Sequence, residues 1–144
     1  MSQDPTDRLI RDLILTGRTA SAEEVDLVTR RMATAPFPSL RAHLARRLIE
    51  RQWTSETTEQ EYFDDLHGAM NDEAARVAVY RRRGGPLVAV LTQTERILTA
   101  HRRGARWLPV LFVVYSADRG MILSGYQASD VSTIALPEDT RWLR

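Results

Sequence analysis

Arg76-Val77-Ala78-Val79-Tyr80-Arg81-Arg82-Arg83-Gly84-Gly85-Pro86-Leu87-Val88-Ala89-Val90-Leu91-Thr92 is where the hydrophobic pattern of this chain changes period. Before it, apolar residues recur every three to four positions; within it, they alternate. Residues 76–83 are rich in β-formers, Gly84-Gly85 reads as a two-residue hairpin turn, and residues 87–92 read as the returning strand. With Gly84 and Gly85 as the central turn residues, Arg83 faces Pro86 and Tyr80 lies opposite Ala89. That register puts Val77, Val79, Arg81, Val88, Val90 and Thr92 on one face of the hairpin. Arg76, Ala78, Tyr80, Arg82, Leu87, Ala89 and Leu91 take the other.

Upstream of the hairpin the chain reads as helices. Leu9, Ile10, Leu13 and Ile14 have helical spacing, and Gly17 stops that segment. Ser21-Ala22-Glu23-Glu24 is a capping-box pattern that opens a second helix, with Val25, Val28 and Met32 as its apolar stripe. Pro36 and Pro38 interrupt the chain. A third helix begins at Ser39, with Leu40, Leu44, Leu48 and Trp53 inward and Arg41, Arg46, Arg47 and Arg51 in water. Thr57 or Thr58 caps a fourth, whose buried side is Tyr62, Phe63, Leu66, Ala69 and Met70.

Downstream, residues 94–104 form a polar connection with a helical turn at Ile97-Leu98. Residues 107–115, Trp107-Leu108-Pro109-Val110-Leu111-Phe112-Val113-Val114-Tyr115, are apolar on both parities and so predict a central strand covered on both faces. Ser116-Ala117-Asp118-Arg119-Gly120 is a tight turn, and residues 121–127 return antiparallel. Pro137 and Trp142 belong to a tail that packs back on the body. The expected fold class is therefore α+β, with three or four N-terminal helices on a four-stranded antiparallel meander whose second face is more polar. The 144 residues are read as one domain: an acidic helical half (7–70), a basic β-meander half (76–130) and a tail (131–144).

Composition narrows the chemistry. The chain has no cysteine, which excludes disulfides, thiolate nucleophiles and cysteine-based metal sites. Its longest apolar run is far short of the roughly 20 residues that cross a bilayer, so no membrane association is expected. The acidic start, Met1-Ser2-Gln3-Asp4, has no apolar core behind a basic segment. No signal peptide is read there, and the expected location is the cytoplasm. The net charge of +1 conceals a segregation: residues 1–75 carry 9 Arg against 14 acidic residues, and residues 76–144 carry 11 Arg against 5. All 20 basic residues are arginine. A GC-rich coding preference accounts for the missing lysine, but it does not sort acids from bases along a chain. Arginine suits forked contacts to phosphate and stacking on bases, which points the basic half towards RNA.

Three places stand out as candidate chemistry. Arg81-Arg82-Arg83 at the hairpin tip can contact phosphate; its bland counterpart is a charged tip that resists edge pairing. His101 lies beside Arg102-Arg103 in the basic half. His43 and His67 sit in helices and read as satisfied or solvated side chains. Three dispersed histidines predict no metal site, and no cofactor is expected. Tyr115-Ser116-Ala117-Asp118-Arg119-Gly120 and Ser124-Gly125-Tyr126-Gln127 are unusual strand-end strings. A glycine inside a strand marks a bulge or a close approach by another group.

This layout resembles the barnase–EndoU–colicin–RelE superfamily of ribonuclease toxins over residues 57–130. The matching pieces are a helix at residues 58–70 leading into residues 76–83, the hairpin across Gly84-Gly85, the apolar strand at 107–115, and a final strand ending in Ser124-Gly125-Tyr126. The resemblance rests on topology. It implies a sheet whose concave face binds and cleaves RNA without a metal. In such a reaction the ribose 2′-hydroxyl attacks its own phosphate, so the protein supplies a base, an acid and cations. The expected catalytic set is His101 as base with Tyr126 and Arg119 supporting the phosphate or the leaving oxygen. Tyr80, Arg82, Arg83, Tyr115 and Ser124 are the expected substrate-binding set. Two other readings stand beside this one: a protein-interaction module of immunity or adaptor type with a cognate protein partner, and an RNA-binding protein without catalysis.

Overall fold

The structure is a computed structural model that describes residues 1–83, 85–98 and 108–144. It is α+β, with α-helices in the N-terminal part followed by an antiparallel sheet. Helix α1 (Pro5–Thr16) is capped by Asp4 and ends at Gly17, whose positive φ of 70° closes the last turn. Helix α2 (Ala22–Ala33) opens with the expected Ser21–Glu24 capping box. Helix α3 (Leu40–Ile49) follows the two prolines. Helix α4 (Glu59–Met70) opens with a second capping box, Thr58–Glu61.

The sheet comprises β1 (Arg76–Arg82), β2 (Gly85–Gln93), β3 (Val110–Ser116), β4 (Met121–Ala128) and β5 (Arg141–Trp142). Their order is β4-β3-β2-β1-β5, with antiparallel pairing throughout. A short helix, α5 (Thr94–Ile97), follows β2. The predicted meander is present, and among the described residues the tail adds a fifth strand. Leu143 N–H donates to the Val77 carbonyl at 2.7 Å, and Trp142 lies against the Arg76 guanidinium, 3.8 Å from its ring centroid.

The hairpin register differs from the expected one by two residues. Arg82 pairs with Gly85, Arg81 with Pro86 and Tyr80 with Leu87. The reason is Pro86. The pair that flanks a two-residue turn exchanges hydrogen bonds in both directions, and proline has no N–H to give. The turn therefore moves back onto Arg83, which takes a positive φ of 52°; Gly84 lies outside the described residues. Because the shift is even, every hairpin side chain keeps its expected face.

One sheet face packs on the helices. Val77, Val79, Val88, Val90, Leu111, Val113, Tyr115 and Ile122 join Ile10, Val28, Met32, Trp53, Tyr62 and Leu66 in the main core. β3 is buried along its whole length, as a strand with no polar parity should be. It begins at Val110 rather than 107; Trp107 lies outside the described residues. The opposite face is less polar than expected. Tyr80, Leu87, Ala89, Leu91, Phe112 and Val114 form a second apolar cluster, with Ile134 and Leu136 of the C-terminal segment packed onto it.

Candidate functional site

The outer sheet face carries a groove. The rungs of the sheet align its lining: Tyr80 pairs with Leu87, and Val114 pairs with Ser124. The neighbouring rung is Leu91, Phe112 and Tyr126. Leu87, Phe112 and Val114 form the groove's apolar floor. Residues 134–136 roof it, and the resulting groove is about 310 Å³. Tyr80, Arg82, Ser124 and Tyr126, all expected to bind or act on a substrate, line this one groove. Arg82 also donates to the carbonyl of Ala135, which pins the roof to the hairpin.

The remaining expected residues lie elsewhere. Tyr115 points into the helical layer, where its hydroxyl donates to Asp7 at 2.5 Å; it is a structural side chain, unavailable to a ligand on the outer face. Its position on the parity of Val113 and Leu111, rather than that of Val114, decides this. Arg119 is exposed in the β3–β4 turn. Seven residues of chain separate it from Tyr126, about 20 Å along a strand. It is not among the residues that line the groove with that phenol. Arg83 is exposed at the hairpin tip. His101, with Arg102 and Arg103, lies outside the described residues.

Two residues that sequence reasoning set aside, His43 and Arg47, are placed by α3 against Ser124 and Tyr126, which line the groove. This helix runs along the outer edge of β4, whose unpaired backbone groups need partners. Ile122 N–H donates to the Pro36 carbonyl at 2.9 Å, Tyr62 Oη to the Gly125 carbonyl at 2.5 Å, and Gln127 N–H to Gln52 Oε1 at 2.7 Å. Gly125 is required there because a Cβ would sit 2.5 Å from the Leu66 methyl carbons. With α3 held so close, its residues 43 and 47, one turn apart, face β4 as one stripe. His43 Nδ1 is 3.4 Å from Ser124 Oγ. The Arg47 guanidinium lies 5.3 Å from the Tyr126 ring centroid and pairs with Glu50. Arg47 is therefore buried, 7% exposed, and not in water as its helical spacing suggested. Beyond Tyr126, a polar groove of about 460 Å³ continues past Arg46, Arg47, Glu50, Gln52 and Ser129. Tyr126 is the wall between the two grooves.

The electrostatics are those of neutral hydrogen-bonding groups framed by cations. Burial pushes the Tyr80 phenol up to about 12, against the opposing pull of Arg82. Burial also raises Tyr126, opposed by Arg47 and Arg82. Both hydroxyls are thus donors near neutrality. His43 is shifted the other way: burial first, then Arg47 and Arg46, hold its pKa below the usual histidine value and keep the ring neutral. Cations beside an imidazole are the reverse of the carboxylate that orients a serine-hydrolase histidine, so the Ser124–His43 contact is not built as a nucleophile pair. Among the described residues no group of three or more His, Cys, Asp or Glu could hold a metal ion. No helix among them is long and apolar enough to cross a membrane. Comparison of the chain with protein-family models, curated proteins and solved structures finds no match.

Proposed function

We propose that the outer sheet face binds single-stranded RNA and cleaves it without a metal, in the manner of the toxin ribonucleases that the layout resembles. The observation that carries this reading is the convergence of Tyr80, Arg82, Ser124 and Tyr126 on one groove. The apolar floor accepts an unstacked base, and the two phenols donate hydrogen bonds to it or to phosphate oxygens. Arg82 at one wall and Arg46 beyond the other supply positive charge along the strand. Cleavage needs no protein nucleophile, because the 2′-hydroxyl attacks the adjacent phosphorus and the 5′-oxygen leaves. The protein holds the phosphate and moves protons. RNA as the target puts this activity in the cytoplasm.

The test is incubation of the purified chain with total RNA in EDTA. The reading predicts discrete cleavage, lost in Tyr126→Ala and weakened in Arg82→Gln. Binding of the same RNA with every strand left intact would reduce the face to an RNA-binding surface. Neither binding nor cleavage at low salt would favour the protein-interaction reading, for which the apolar floor is the supporting feature.

A further inference from the structure

Any ribonuclease reading of this face requires a proton acceptor, and the stripe on α3 contains a suitable group. His43 is half-buried beside Ser124, with the Phe37 ring packed at 5.6 Å on its other side. The spacing of the stripe matches that of the strand it faces. One helical turn from His43 to Arg47 advances about 6 Å, and two strand residues from Ser124 to Tyr126 advance about 6.6 Å. His43 therefore meets Ser124 while Arg47 meets Tyr126. The result is an imidazole against Ser124 and a guanidinium against the Tyr126 ring, on successive turns of one helix. Cleavage of a phosphodiester needs one group that takes a proton and another that gives one.

We propose that His43 is the general base of the outer face, and that Ser124 positions its ring. This rests on the ribonuclease reading above. Ser124 Oγ accepts from Nδ1–H, which leaves the lone pair on Nε2. The 2′-hydroxyl proton passes to Nε2 as the bond from the 2′-oxygen to phosphorus forms. The phosphorus–5′-oxygen bond breaks, and the leaving oxygen takes the proton of the Tyr126 hydroxyl. The products are a 2′,3′-cyclic phosphate and a 5′-hydroxyl. Exchange with solvent returns the proton from His43 to Tyr126, so both residues end as they began.

The charged groups bearing on His43 come from its own helix, Arg46 and Arg47; β4 contributes the neutral Ser124 and the preceding loop the neutral Phe37. Free of substrate the ring is therefore a neutral acceptor. A phosphate drawn in beside the arginines offsets their repulsion and stabilises the imidazolium as it forms.

The experiment compares wild type with His43→Asn and His43→Gln on single-stranded RNA in EDTA, each variant first shown to unfold at the wild-type urea midpoint. Asparagine preserves a donor to Ser124 but cannot take the proton. A base role predicts that kcat/KM falls about a hundredfold in both variants. It also predicts that the acidic limb of the wild-type pH profile disappears. Ser124→Ala should keep that limb with a smaller loss. A wild-type rate or an unchanged acidic limb in a folded His43→Asn or His43→Gln would overturn the assignment while leaving the ribonuclease intact. A wild-type protein that cleaves nothing would remove both.

Discussion

Asp7 shows how much a single side chain can organise without touching the functional face. It is fully buried, and it accepts from Tyr115 Oη at 2.5 Å, Ser2 Oγ at 2.6 Å and Arg31 Nη2 at 3.0 Å. This knot ties α1, α2 and β3 together. Asp7→Ala leaves the Tyr115 phenol without its acceptor and Arg31 with its longer contact to Asp4 at 3.6 Å, and should cost about 3 kcal/mol, the low end for a broken buried pair because Arg31 is partly exposed. Urea denaturation measures it, and a loss below 1 kcal/mol would mean the knot is incidental. The tyrosines make a second prediction. Burial raises the pKa of all four, Tyr62, Tyr80, Tyr115 and Tyr126. In the unfolded chain each ionises near pH 10. Their neutral forms therefore stabilise the fold fully below about pH 10, and that contribution is lost as pH rises from there through 12 and beyond. Tyrosinate absorbance should appear together with the loss of far-UV structure; ionisation of most of the tyrosines in a still-folded protein would contradict this. The role of Tyr115 was not legible in the sequence. A strand apolar on both parities does not say which parity faces the helices, and Asp7 reads locally as no more than a first-turn acid.

The hairpin and the central strand were legible because each carries its own signal. Alternation from Arg76 fixes the faces, and the missing N–H of Pro86 is enough, once weighed, to fix the register. The packing of α3 against β4 was not legible. Nothing in the helix itself names the edge it covers, and Arg47 looks like any solvent-facing arginine until Tyr126 is beside it. A local hint did exist for the neighbouring helix, in Gly125, a glycine inside a strand. It marks the close approach of α4 through Leu66. Gly125→Ala should therefore destabilise by about 1–3 kcal/mol through overpacking. Leu66→Ala, which opens a cavity, should cost about 2–5 kcal/mol alone. Combined, the two should cost clearly less than their sum, because the added methyl fills part of the space left by Leu66. Strict additivity in thermal or urea unfolding would mean that the contact is not what demands glycine.

Across the whole molecule the arginines divide by task. Arg31 and Arg47 are committed to carboxylates within the helical half, and Arg141 donates to the Leu13 carbonyl, tying the tail to α1. Arg81, Arg82 and Arg83 are exposed on the basic half at the tip of the hairpin. If this end meets an RNA backbone, replacing the three with Gln should reduce the slope of log affinity against log salt by about 2, at about 0.7 per single-strand phosphate contact. An unchanged slope in a folded triple variant would place the polyanion elsewhere. The charge segregation in the sequence places these three arginines in the basic half. It did not foretell that the groove would lie one wall away from α3, in the acidic half, because that requires the helix to wrap the edge of the sheet. The most direct measurement is on one defined single-stranded RNA, incubated with the protein in EDTA beside the same strand made entirely of 2′-deoxynucleotides. Mass spectrometry should find 2′,3′-cyclic phosphate ends from the RNA and an intact deoxy strand, since only the ribose hydroxyl can attack. Intact RNA, or equal cleavage of both strands, would contradict the account.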